Sequence, residues 1–201
     1  MRCARGLVSK EQRASTRPVN NGLPQSSFLL IQFHLNRMAP QMITIRQATE
    51  NDLAPLLELL EAKATFDGVR PTLRATVASL RQELFVTNPI AHAIVAVESD
   101  AVLGMATYFT TFSSFLMKPG LWLDDLYVRE SSRGKGIGRE MMKWLSRQAS
   151  QRGAARIDWV VATLNEDGHG FYKSLGATIF ESVRLARLGE DEIHVLATED
   201  A

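Results

Sequence analysis

The sequence predicts an α/β (α+β) fold: a mixed, mostly antiparallel sheet of about six to seven strands flanked by about four helices. Three observations predict it. Short runs rich in β-branched and aromatic residues alternate with segments of helical period. Three strand-like runs follow one another between Ala91 and Val128 with no helical segment between them, as antiparallel neighbours do. The last of these is joined by a helix to a further strand, so those two are expected to be parallel neighbours.

The elements follow in order. Met42 to Ala48 alternates, with Ile43 and Ile45 on one face, and reads as a first strand. Thr49-Glu50-Asn51-Asp52 supplies helix-starting residues, and Leu53, Leu56, Leu57, Leu60 and Ala64 recur at helical spacing. Thr65 to Pro71 is a loop. Thr72 to Phe85 reads as a second helix with Leu73, Val77, Leu80 and Leu84 inward, broken by Asn88-Pro89. Ala91 to Val97 and Val102 to Thr110 pair across the turn Glu98-Ser99-Asp100-Ala101, and Phe112-Ser113-Ser114-Phe115 connects to the central strand. That strand is Leu121-Trp122-Leu123-Asp124-Asp125-Leu126-Tyr127-Val128. A turn at Arg129 to Ser132 leads to Arg133-Gly134-Lys135-Gly136-Ile137-Gly138, which opens a helix with Ile137, Met141, Trp144, Leu145 and Ala149 on one face; Gly153 is placed to end it. Arg156 to Val161 is a fifth strand and Asn165 to Leu175 a short helix. Ala177 to Leu188 and Ile193 to Ala197 are expected to close the sheet as a hairpin around Gly189-Glu190-Asp191.

Composition narrows the function. The chain of 201 residues suits one domain with a tail, and its 45% hydrophobic and 22% charged residues are ordinary for a globular protein. A net charge of +1 offers no footprint for nucleic acid. No stretch approaches the roughly 20 apolar residues of a membrane helix. Cys3 is the only cysteine, so an internal disulfide and a thiolate metal site are ruled out, and the four histidines form no ligand-spaced cluster. No metal is expected, and a cytoplasmic location is the default expectation. Residues 1–41 hold six basic residues against the single acid Glu11 and keep no periodicity. They are expected to be a disordered extension, or to reflect a start placed too early, with the domain spanning 42–201. A basic, acid-poor start is also how organelle transit peptides read.

Strand, glycine-rich turn and helix start make an anion site. The first turn of a helix leaves backbone N–H groups without partners, its dipole favours negative charge, and glycines clear the approach. Arg133 and Lys135 add cationic charge, so the turn reads as a pyrophosphate cradle. A Walker loop is not matched. A dinucleotide fingerprint is one residue short, and Asp158, the acid that follows, sits inside an apolar run. The third pattern, Arg/Gln-x-x-Gly-x-Gly/Ala, is met by Arg133, Gly136 and Gly138. It resembles the coenzyme A pyrophosphate motif of the GNAT superfamily of N-acetyltransferases. Downstream, Asn165 followed by Phe171-Tyr172 and Leu175-Gly176-Ala177 is similar to that family's Asn-x5-Phe-Tyr-x-x-Leu-Gly-Ala/Phe segment. The resemblance covers about residues 43–197, and the element order is the GNAT order.

The resemblance implies a sheet splayed at its centre, with acetyl-CoA as co-substrate entering the gap. It implies that backbone groups of Leu126, Tyr127 and Val128 and the side chain of Asn165 hold the pantetheine arm, and that Arg133, Gly134, Lys135, Gly136, Ile137 and Gly138 hold the pyrophosphate. Acetyl transfer to an amine needs the amine deprotonated, the carbonyl oxygen stabilised and a proton for the thiolate. Tyr172 is the candidate acid, since a phenol with a pKa near 10 keeps its proton at neutral pH. Asp124 and Asp125 are unusual in a buried strand. Alternation would put them on opposite faces, one toward the cleft to attract a cationic amine and one tied structurally.

Within the superfamily the sequence resembles most the spermidine/spermine (diamine) acetyltransferase-like branch, on Trp122 to Val128 and Phe112 to Phe115. Asp124 departs from that branch's usual Glu. The implied acceptor is the primary amine of a small cationic molecule: a polyamine, a diamine or a basic amino-acid analogue. The implied partner is a second copy of the chain, with no nucleic acid and no membrane. Two alternatives stand beside it: acetylation of a peptide N-terminus or protein lysine, and a non-catalytic acyl-CoA-binding sensor.

Overall fold

The computed structural model describes residues 42–199, and the expectation for residues 1–41 lies outside them. Five strands form one sheet in the order β1-β2-β3-β4-β5: β1 (Thr44–Gln47), β2 (His92–Glu98), β3 (Ala101–Ser113), β4 (Lys118–Val128) and β5 (Ile157–Asp158). The first four pair antiparallel and β5 lies parallel to β4, as the connecting helix requires. The helices are α1 (Leu53–Phe66), α2 (Val77–Leu84), α3 (Ile137–Gln151), α4 (Glu166–Ser174) and α5 (Glu190–Thr198).

Each face of the sheet carries its own apolar cluster. On one side Met141, Leu145 and Ala149 of α3 pack on Ile94, Ala106, Tyr108, Leu121 and Leu123. On the other, Leu53, Leu56 and Leu59 of α1 and Leu80 of α2 pack on Ala93, Val95 and Met105. The entry to α1 is fixed by charge. Asp52, buried, accepts from both ends of the Arg46 guanidinium at 2.7 and 2.9 Å and from the Thr49 N–H at 2.7 Å. The Arg46 bond, with those of Thr49, lowers the Asp52 carboxyl to about 2.

Three sequence expectations are corrected. The second helix starts at Val77, not Thr72, because Thr76 and Ser79 cap each other: the Ser79 N–H donates to Thr76 Oγ1 at 3.1 Å and the Thr76 N–H to Ser79 Oγ at 2.9 Å. The fifth strand keeps only Ile157 and Asp158 in register with β4. The closing hairpin is absent among the described residues. Positions 177–189 carry no strand, and Glu190–Thr198 is helical, with three acids, Glu190, Asp191 and Glu192, in its first turn where the dipole favours them. The sheet therefore has five strands rather than six or seven, with the mixed, mostly antiparallel topology expected.

Candidate active site

The site grows from the second half of β4. Among the described residues this strand has no partner on the β5 side beyond Trp122, since the parallel register ends at Trp122–Asp158. The backbone edge from Leu123 to Val128 is therefore open, and it borders a cavity of about 1040 Å³. This is the gap between the two parallel strands that a splayed sheet would have.

A β-bulge sits in that stretch. Opposite it, Tyr108 pairs with Leu123 and Thr107 with Asp125, so Asp124 is the extra residue. The Asp125 N–H donates to Thr107 Oγ1 at 3.2 Å across the irregularity. The bulge reverses the alternation. Leu121 and Leu123 pack on the α3 side, whereas Asp125 meets Lys63 of α1 and Tyr127 joins the α1-side cluster. Asp124 and Asp125 both line the cavity, which takes residues from both faces of the strand: Leu126 and Val128 pack on the α3 side, Tyr127 on the α1 side. Asp124 is exposed within it. Asp125 is largely buried, with Lys63 Nζ 3.4 Å from its Oδ1. Burial pushes the Asp125 carboxyl upward, and the Lys63 ammonium opposes that shift. Lys63 also pairs with Asp67, one helical turn on.

The glycine-rich turn adjoins this wall. Gly134 and Gly136 have φ of +77° and +80°, a conformation that glycine adopts without a side-chain penalty. Gly136 is the N-cap of α3, and the first ladder bond runs from the Glu140 N–H to the Gly136 carbonyl at 3.1 Å. The N–H groups of Ile137, Gly138 and Arg139 precede that ladder and lie at the cavity's edge. At Gly138 a Cβ would come within 3.2 Å of the Phe171 ring, so this glycine also lets α4 approach α3. A cradle lined by glycines at a helix N-terminus fits a pyrophosphate.

The remaining sequence-selected residues fall as follows. Leu126, Tyr127, Val128, Arg133, Gly134, Gly136, Ile137, Gly138 and Asn165 line the cavity; Lys135 is exposed and does not. The Arg133 guanidinium lies over the Phe66 and Tyr127 rings, 5.1 and 5.4 Å from their centroids, and its Nε donates to the Val128 carbonyl at 3.2 Å. Asn165 is the N-cap of α4, its Oδ1 accepting from the Gly168 N–H at 2.9 Å, and a Cβ at Gly168 would strike that amide at 2.6 Å. Tyr172 projects from α4 against Trp159 and Phe171, with ring centroids 4.8 and 5.0 Å away. Burial, with the nearby Asp67 charge, pushes its phenol up to about 12.

Sequence reasoning missed Lys63, Asp67 and Trp159. Lys63 and Asp67 are spaced i,i+4 at the end of α1, which marks a helix pair but carries no hint of Asp125. Trp159 reads as a strand residue, yet it lies beyond the short β5 and supports Tyr172.

The comparisons with known proteins agree with this fold. A family model described as Acetyltransferase (GNAT) family matches residues 55–177. L-ornithine N5-acetyltransferase of Arabidopsis thaliana is 34% identical over 95 residues, 47% of this chain and 42% of that protein. Thialysine N-epsilon-acetyltransferase of Bos taurus is 27% identical over 143 residues, 67% of this chain and 84% of that protein. A human spermidine/spermine N(1)-acetyltransferase-like protein is 29% identical over 166 residues, 78% of this chain and 24% of its own length. Among solved structures, an integron cassette protein from the mobile metagenome of V. cholerae superposes with a TM-score of 0.65 at 28% identity, covering 78% of this chain and 98% of that one.

Proposed function

This chain belongs to the acetyltransferase (GNAT) family, and from that premise we propose that it transfers the acetyl group of acetyl-CoA to a primary amine of a small cationic molecule. The observation that carries the reading is one cavity lined by the glycine turn at the start of α3, the unpaired edge of β4, the acids Asp124 and Asp125, and Tyr172. The named acceptors of its relatives, ornithine, thialysine and spermidine or spermine, are all small amines, which supports the class.

The division of labour follows from the chemistry. Gly134, Gly136 and the leading N–H groups of α3 hold the pyrophosphate of the coenzyme. The open edge of β4 at Leu126 and Val128 offers peptide groups to the pantetheine arm and to the acetyl oxygen. Asp124, exposed in the cavity, draws in the ammonium and, through water, takes its proton. The freed amine lone pair forms the new C–N bond at the thioester carbonyl, the C–S bond breaks, and the thiolate leaves with the electron pair. Tyr172 donates its O–H to that thiolate.

The Tyr172 phenol at about 12 stands above a thiol of about 8.5 in water. The same burial acts on a thiolate departing into the same cavity, so the gap narrows toward the roughly 1.5 units between free phenol and free thiol. The phenol's contribution is greatest as a hydrogen-bond donor to developing charge. By resemblance to the diamine branch we take the working unit to be a homodimer, which light scattering would check.

The test is incubation with acetyl-CoA and a panel of mono-, di- and polyamines, basic amino acids and peptides, read by mass spectrometry. A mass gain on the small amines alone supports the reading. A gain confined to peptides, or none on any acceptor, overturns it.

A further inference from the structure

We propose that Lys63 is a specificity-determining residue whose ammonium stands in for one positive charge of the acceptor. It thereby restricts the site to amines with few cationic groups. The inference rests on the acetyl-transfer reading above and adds to it the charge number of the acceptor.

The argument starts from charge. Asp67, Asp124, Asp125 and Asp167 line one cavity, and a carboxylate makes its near neighbours costlier to ionise. Asp124 and Asp67 both act on Asp125 in this way, added to its burial. A wall of this kind calls for cations, from the protein or from a bound molecule. Lys63 supplies one. Its side chain is only 19% exposed, and its ammonium lies between Asp67, which accepts from it, and Asp125 at 3.4 Å. Two of the four carboxylates are thus engaged by a single internal ammonium, and Asp124, with Asp167 in the first turn of α4, stays open to the acceptor.

The placement suits substitution by a substrate charge. Lys63 sits in the last turn of α1, where cations are favoured, and reaches the wall on a flexible four-carbon stem. An alkylammonium arm of a linear polyamine has the same chemistry as that stem and head. With Lys63 in place, a triamine would bring more positive charge than the two open carboxylates, Asp124 and Asp167, can balance. A monoamine or short diamine would not. A lysine that merely tethered α1 to the sheet would change stability without changing this preference.

The test compares a monoamine, a short diamine and a linear triamine on wild type, Lys63→Met and Lys63→Arg. Both kcat/KM and calorimetric affinity are measured. Met keeps the apolar stem and length, and Arg keeps the charge. In Lys63→Met the triamine-to-monoamine ratio is expected to rise about tenfold or more, mainly through KM, and the gain should shrink with salt. Lys63→Arg should stay near the wild-type ratio. A ratio within twofold of wild type in a folded Lys63→Met, in turnover and in binding, overturns the proposal. If wild type acetylates no amine, the acetyl-transfer reading falls instead, and the calorimetric ratio still decides the role of Lys63.

Discussion

Replacing Tyr172 by Phe removes one oxygen and keeps the ring. That ring is held by Trp159 and Phe171 at centroid distances of 4.8 and 5.0 Å, so packing should survive and the melting temperature should move little. The phenol at about 12 is protonated at every working pH: at pH 8 only about one molecule in 10⁴ would be ionised. Loss of the hydroxyl should therefore lower kcat by a similar factor across the pH range, rather than flatten one limb of the profile. General acids contribute about 10²–10⁴-fold. Because this phenol is a weaker acid than the departing thiol, the loss should fall near the lower end, about 10²-fold. Acetyl-CoA affinity should hold within a few-fold. The assay is steady-state turnover from pH 6 to 9 with calorimetric titration of acetyl-CoA, alongside a thermal melt. Turnover within twofold of wild type throughout, in a folded variant, would refute the assignment of Tyr172.

Other outcomes follow from the same geometry. Gly136→Asp puts a carboxylate at the helix N-terminus and strains a φ of +80°; acetyl-CoA binding should vanish in calorimetry, and near-normal affinity in a folded variant would remove the cradle from the site. Asp52 has a folded-state pKa of about 2, below its unfolded value, so its stabilisation is present above about pH 4 and is lost as pH falls through 2. That shift is worth about 2 kcal/mol, and Asp52→Asn should erase this part of the acid dependence in denaturant melts; an unchanged slope between pH 4 and 2 would contradict it. A chain beginning at Met42 is expected to fold and to bind acetyl-CoA as the full chain does, and a large fall in melting temperature would show that residues 1–41 contribute.

Some of the site was legible in the sequence because its signals are local. Gly134, Gly136 and Gly138 stand within five residues, and the turn they form depends on near neighbours alone. Asn165 and Tyr172 belong to one short helix, whose spacing places the cap and the phenol relative to each other. The parallel pairing of β4 with β5 follows from the helix that joins them. These features need no partner from far along the chain.

Contacts across the fold were not legible. No pattern in residues 121–128 announces a bulge, because it arises from pairing with Thr107 and Tyr108. That one extra residue turned Asp125 toward α1 and Lys63. Lys63 and Asp125 are 62 positions apart, and only the packing of α1 on the sheet joins them. At positions 177–198, apolar residues spaced to suit strands stand beside three acids that start a helix. The sequence by itself determined the order of elements as far as α4 and the glycine turn that opens α3, since these rest on local period and local chemistry. The tertiary structure alone decided which charges meet, because register and helix packing bring distant residues within ion-pair range.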